Sequence, residues 1–213
     1  MDVNESGATL TGNAVLHNSA AEHGGGLVLD QSYATLINNL VADNRITRIT
    51  EPYYGSGILI GTSSPQLLHT TIARSSGGEG SGLHVTGCDG GDPCSTVTLT
   101  NAIVESHTEG VVIHTDNTVI LNGVLWFHND GKTGGGVNYI VTVTNAIDGD
   151  PAFVAPDVGD YYIGIGSAAR DRGVDAGVTT DLDGKPRPVG AGYDLGACEF
   201  QWRYIHLPTI VKQ

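Results

Sequence analysis

The side chains best suited to chemistry in the repetitive part of the chain are Arg74, Glu105 and Trp126. Each lies six residues after the leading apolar position of a recurring short pattern, in the series Leu16, Ala42, Arg74, Glu105, Trp126. If equivalent positions stack, a guanidinium, a carboxylate and an indole stand on neighbouring levels, as in a groove that holds a sugar. The plainer reading of the same trio is a surface ion pair beside a tryptophan, which carries little energy. Arg74 and Glu105 are also the one pair worth testing for catalysis. A lyase acting on an acidic polymer needs an Arg or Lys base and commonly calcium-binding carboxylates, and a hydrolase needs two facing carboxylates. Up to residue 140 the only basic side chains are Arg45, Arg48, Arg74 and Lys132.

Other candidates lie in loops. Tyr53 and Tyr54 follow Pro52 in an inserted segment and could stack on a sugar ring, or lie back on the surface beneath them. Cys88 and Cys94 flank a short Asp-Gly-Gly-Asp-Pro turn, so a disulfide between them is expected, with an oxidising compartment; Cys198 is then left without a partner. His107 and His128 fall in one series, but no third ligand at a fixed spacing accompanies them, and they read as turn residues.

The elements that must position these groups are short and repeated. One pattern runs Leu10-x-Gly12-x-Ala14-Val15, Leu36-x-Asn38-x-Leu40-Val41, Leu68-x-Thr70-x-Ile72-Ala73, Leu99-x-Asn101-x-Ile103-Val104 and Ile120-x-Asn122-x-Val124-Leu125. The other is a glycine before an alternating strand: Gly26-Leu27-x-Leu29, Gly57-Ile58-x-Ile60, Gly82-Leu83-x-Val85, Gly110-Val111-x-Ile113 and Gly136-Val137-x-Tyr139. Equivalent positions recur every 21–32 residues or about that, the range of solenoid repeats. No helical periodicity lies between the strands, which excludes βαβ crossovers. The expected fold is all-β: a right-handed parallel β-helix whose coils pair strand on strand about 4.8 Å apart. Leu27, Ile58, Leu83, Val111 and Val137 should form one inward row, and Leu29, Ile60, Val85, Ile113 and Tyr139 the next. The Asn positions should form an inward amide ladder, and the leading glycines should serve positive φ at a corner. The outward row Val28, Leu59, His84, Val112, Asn138 is too apolar for a solvated face, so the C-terminal segment is expected to cover it.

The 213 residues carry a formal net charge of −13, with 10 Lys and Arg against 23 Asp and Glu. A nucleic-acid partner is thereby disfavoured, since phosphate neutralisation needs a basic patch. No apolar run is long enough for a transmembrane helix. The repeat is already under way at Leu10, so the chain reads as N-terminally truncated, with coils over residues 1–144. An uncapped N-terminal coil could then associate end to end with another molecule.

From about residue 145 the repeat stops and another set of residues begins. It runs Gly149-Asp150-Pro151 with Phe153, Asp160-Tyr161, Gly166-Ser167-Ala168-Ala169, Asp171, Gly173, Asp175, Asp181, Asp183-Gly184, Arg187-Pro188 and Asp194-Leu195-Gly196-Ala197-x-Glu199. This order resembles the C-terminal, choice-of-anchor Q type region of bacterial surface proteins with right-handed parallel β-helix repeats, in the pectate-lyase-like superfamily. The resemblance covers residues 145–200 closely and departs at Cys198, where an aromatic residue is more usual; residues 201–213 are a tail. It implies an extracellular or cell-surface location and leaves activity open. The residues themselves indicate an Arg–carboxylate network, with Arg187 among Asp181, Asp183, Asp194 and Glu199, capping the final coil. Asp181-x-Asp183-Gly184 also resembles the start of a calcium loop, but no Glu stands at the bidentate position. Calcium is the one metal this spacing suggests, and no other cofactor is expected. The functional expectation is a non-catalytic module, structural, adhesive or in contact with a polysaccharide or cell-surface glycan at Tyr53, Tyr54 and Trp126. The competing expectation is a polysaccharide lyase or glycoside hydrolase.

Overall fold

The computed structural model describes residues 1–4, 7–48, 53–88 and 92–201, and shows a parallel β-solenoid of about five turns. One sheet stacks six short strands: Asp2–Asn4, Leu27–Asp30, Ile58–Gly61, Ser81–Thr86, Glu109–Ile113 and Gly131–Gly135. The other stacks Thr9–Thr11 with Ala14–Leu16, Thr35–Ile37 with Leu40–Ala42, Gln66–Leu68 with Thr71–Ala73, then Thr96–Glu105, Thr118–Phe127, and Ile140–Thr144 with Ile147–Asp148. Every pairing within these two sheets is parallel.

Alternation sets the interior. Leu27, Ile58, Leu83 and Val111 are register partners in turn, as are Leu29, Ile60, Val85 and Ile113, and all are buried. Both rows depart from expectation at the fifth coil. Val111 pairs with Thr133 and Ile113 with Gly135, while Val137 is 67% exposed and Tyr139 packs on the core from outside these rows. A strand that is mostly glycine pairs through its backbone and has no side-chain alternation to mark its register. The other sheet is slipped by one residue against expectation in two coils, because its inward row is Leu10, Leu36, Leu67, Leu99, Leu121. Leu67-Leu68 and Val119-Ile120-Leu121 are continuous apolar runs, and a one-residue slip turns every side chain to the other face.

Two corner rows are held in the left-handed region. One is Gly12, Asn38, His69, Asn101, Gly123 and Asn145, with φ from +50° to +71°. The other is His17, Asp43, Arg74, Ser106 and His128, with φ from +49° to +57°. Asn and Asp tolerate this conformation best after glycine, which is why Asn marks these corners. The Asn38 and Asn101 amides do not form the expected inward ladder: they point outward and donate to the carbonyls of Thr180 and Val174. The amides that bond between coils are Asn13 on Asn39 at 2.9 Å, Asn18 on Asn44 at 3.0 Å and, on the exposed surface, Asn145 on Asn122 at 2.8 Å.

The leading glycines serve closeness and not positive φ. A Cβ on Gly57 would stand 2.4 Å from the Gly82 carbonyl oxygen, and one on Gly110 would stand 2.6 Å from the Trp126 ring. Neighbouring coils leave no room for a side chain there.

The C-terminal segment folds back along the flank of the solenoid. Its antiparallel hairpin, Phe153–Ala155 with Asp160–Ile163, and its later turns bury Tyr161, Ile163, Leu195 and Ala197 against Leu40, Ala42, Ala73, Ile103 and Leu125. It therefore covers the outer face of the second sheet, not the expected row at Val28 and Leu59. Nor does it lie over the last coil, where Ile140 and Val143 are 58% and 48% exposed. The tail from residue 202 lies outside the described residues.

Candidate functional site

The outward face of the first sheet carries Val28, Leu59, His84, Val112 and Gly134 in register. A row of rings covers it. His23 stacks on Tyr54 with centroids 5.5 Å apart, Tyr54 on His84 at 4.5 Å, and His84 meets His114 edge-on at 4.9 Å. Tyr53 stands edge-on to His23 at 5.3 Å, and the Tyr54 amide donates to His23 Nδ1 at 3.1 Å. Both tyrosines are half-buried and lie back on the coil. Rings of neighbouring coils cover both faces of Tyr54, so face-on sugar stacking on it, one of the two sequence expectations, is disfavoured. Tyr54 lines a hollow of about 280 Å³ together with Glu79, His84, Val112, His114 and Thr115. Gly135 and Gly136 form the remaining wall, and the hollow opens where the fifth coil presents glycine in place of side chains.

Glu79 and His84 are the polar centre of this hollow. The Glu79 Oε1 atom accepts from His84 Nδ1 at 2.5 Å, from the Ser81 hydroxyl at 2.6 Å and from the Gly55 amide at 3.1 Å. Burial alone would raise this carboxyl, but the hydrogen bonds from His84, Ser81 and Gly55 outweigh it and hold it below its ordinary value. The His84 side chain is fully buried, and its Nε2 meets no hydrogen-bond partner among the described residues. His84 stands in the expected outward row; Glu79, five residues earlier in a glycine-rich turn, carries no sequence signal that would join it to the site.

Arg74, Glu105 and Trp126 are not brought together as the sequence suggests. The register slip places them in three adjacent rows. Trp126 points inward beside Val104, is 4% exposed and belongs to the core, so it cannot meet a glycan. Arg74 reaches Asp43 at 3.3 Å and Asp157 at 2.8 Å, which ties the solenoid to the hairpin turn of the C-terminal segment. Glu105 accepts from Ser106 at 2.5 Å and is 8% exposed. Burial raises its carboxyl, with Arg74 and His128 drawing it part of the way back. Tyr161 completes this cluster by donating to Asp43 at 2.7 Å. His107 and His128 do not stack either: His107 is register-equivalent to Asn129 and inward, and His128 sits in the corner row with Arg74.

Cys88 and Cys94 are joined by a disulfide, and Cys198 is free and buried, its thiol pushed up to about 12 by burial. Arg187 is fully enclosed. It donates to Glu199 at 2.8 Å and to the carbonyls of Asp194 and Gly196 at 3.1 and 2.7 Å. Burial lowers the Arg187 guanidinium and raises the Glu199 and Asp194 carboxyls, so this network is held by geometry at an electrostatic cost. It lies beside Thr71 and Ile103, against the flank of the solenoid, where Gly196 leaves no room for a side chain. Asp183 stands outside it, bonded to Tyr162 and Lys185. Asp181 accepts the amides of Asp183, Lys185 and Glu199. With those oxygens engaged by N–H donors and the Lys185 ammonium 2.9 Å from Asp183, the pair does not fit calcium. Among the described residues no group of three or more His, Cys, Asp or Glu is arranged to hold a metal ion.

No family model matches the chain, and no curated protein matches it. Among solved structures, a crystal structure of pectate lyase Pel9A is similar at a TM-score of 0.40 and 14% identity, covering 92% of this chain and 66% of that one. The chain thus spans about two thirds of that protein's length.

Proposed function

We propose that this chain is a non-catalytic β-helix module whose outer face contacts a polysaccharide or cell-surface glycan. The observation that carries the reading is the ring row His23–Tyr54–His84–His114 beside a hollow closed on one side by the glycines of the fifth coil. Such a surface offers ring nitrogens, a phenol, a threonine hydroxyl and a carboxylate at close spacing, which suits the hydroxyls of a sugar chain laid along the coils. The net charge of −13 turns the preference toward uncharged glycans. An extracellular or cell-surface location fits the disulfide. A bacterial cell-surface or extracellular location rests on the family resemblance of residues 145–200.

Calorimetric titration with a panel of oligosaccharides tests the reading. Binding to at least one glycan, weakened about tenfold or more by Tyr54→Ala, is the expected result; loss of one well-placed contact cluster has that size. Absence of binding across the panel, or binding indifferent to Tyr54→Ala, overturns it.

A second reading, a polysaccharide lyase or glycoside hydrolase, is favoured by one observation. Glu105 is a buried carboxyl raised by its surroundings and next to Arg74 in the fold, as a proton donor would be. Against it, Arg74 is already engaged by two carboxylates. Turnover that disappears in Arg74→Ala or Glu105→Gln would establish the enzyme; binding without turnover establishes the module.

A further inference from the structure

The Glu79–His84 pair has properties that a merely structural stack of rings does not require. The carboxylate takes up Nδ1, which leaves Nε2 as the atom with work to do, and Nε2 is buried without a partner. A buried polar atom left unpaired costs about 1–3 kcal/mol, so a partner that reaches Nε2 would recover that cost. Hydrophobic packing alone would favour Leu or Val here, as at Leu59 and Val112 on the coils below and above.

The surroundings narrow what the partner is. The hollow beside His84 is bounded by Tyr54, Val112, His114 and Thr115, and backbone alone closes it at Gly135 and Gly136. The ionised Glu79 sits behind the imidazole, so a second anion approaching this point would be repelled. A bare cation would need a third ligand, and the described residues provide no such set. A neutral hydrogen-bond donor remains. His84 is shielded by Tyr54 and His114, both half-buried, so a ligand reaches Nε2 only when one of these rings is displaced from its ring contacts.

We propose that Nε2 of His84, oriented by Glu79, is the hydrogen-bond acceptor for a hydroxyl of an uncharged sugar, which makes this pair the selector of neutral over acidic glycans. The proposal rests on the glycan-contacting reading and deepens it by naming the recognising atom and the ligand class. No covalent bond is made or broken.

The test uses the whole chain with gluco-, xylo- and manno-oligosaccharides and an oligogalacturonate of equal length as probes. Titration is carried out on the wild type, His84→Phe and Tyr54→Ala. His84→Phe keeps a ring under Tyr54 and removes the acceptor. The expected outcome is binding of a neutral oligosaccharide that falls about tenfold in His84→Phe, with weaker binding of the oligogalacturonate. Equal affinity of His84→Phe and wild type, or tighter binding of the oligogalacturonate, overturns the proposal. If Tyr54→Ala loses binding while His84→Phe does not, this proposal falls and the glycan-contacting reading stands. If no probe binds the wild type, both fall. Should His84→Phe not fold, ¹⁵N spectra of histidine-labelled wild type decide. The His84 Nε2 resonance is expected to shift when the neutral sugar is added; a resonance indifferent to the sugar refutes the proposal.

Discussion

A single methyl group at Gly57 tests the coil stacking on which the site depends. Gly57 has an ordinary negative-φ backbone, so alanine there carries no penalty of conformation, only of space. Its Cβ would stand 2.4 Å from the Gly82 carbonyl oxygen and 3.2 Å from Ile72 Cγ2. Ordinary contact begins about 1 Å further out than the first of these distances, so the coils would have to part by about that much locally. Three ladder bonds cross this point: Gly26 and Leu27 donate to the Gly57 carbonyl at 3.1 Å each, and the Gly57 amide donates to Ser81 at 3.2 Å. The clash lies on the Gly82 side, so parting these coils directly weakens the Gly57–Ser81 bond, worth about 1 kcal/mol net, and the overpacking strain on the neighbouring rows adds about 1–3 kcal/mol. Gly57→Ala is therefore expected to lose about 2–4 kcal/mol in urea-induced unfolding. Gly166→Ala is the control. It too has no positive φ, and nothing lies within 4 Å of its Cβ position, so it should be neutral or gain up to about 1 kcal/mol. Equal stability of the two variants would refute the reasoning.

Further outcomes follow from the buried charges. Arg187→Met leaves the Glu199 carboxylate enclosed without its guanidinium and should cost about 3–5 kcal/mol, with Arg187→Lys failing to restore the lost fork of bonds; unfolding midpoints check both, and a loss below about 1 kcal/mol would contradict the role of the network. Burial holds His107 at about 4, below its ordinary 6.5, so the unfolded chain binds more protons between these values and stability falls as pH falls through that window. His107→Asn, the residue at the equivalent position of Asn129, should remove about 2 kcal/mol of the loss at pH 5. A slope remains in the same direction from His69, which is lowered to about 3, and an unchanged pH slope in His107→Asn would contradict the assignment.

The solenoid was legible because two signals have direct physical causes. Alternation marks Leu27-Leu29 and Ile58-Ile60 as half-inward strands, and asparagine marks a left-handed corner at Asn38 and Asn101. The register failed where alternation fails, at Leu67-Leu68, at Val119-Ile120-Leu121 and through the glycines of the fifth coil. The first two failures each moved a candidate: the supposed Arg74–Glu105 column became two columns, and Trp126 went from groove to core. The leading glycines are visible in the sequence but the reason for them is not, since a sequence does not show how closely two coils approach. His84 was visible as a polar residue in an apolar outward row. Glu79 was not, because its contact arises from a turn that returns to its own strand over five residues, with no periodicity to announce it.

A crystal structure of the chain soaked with a neutral oligosaccharide tests the central claim most directly. The ring row and its hollow predict sugar density along Tyr54, His84 and His114, with a hydroxyl within hydrogen-bond distance of His84 Nε2. Sugar bound instead beside Arg74 and Glu105, with the hollow unchanged, would contradict the account.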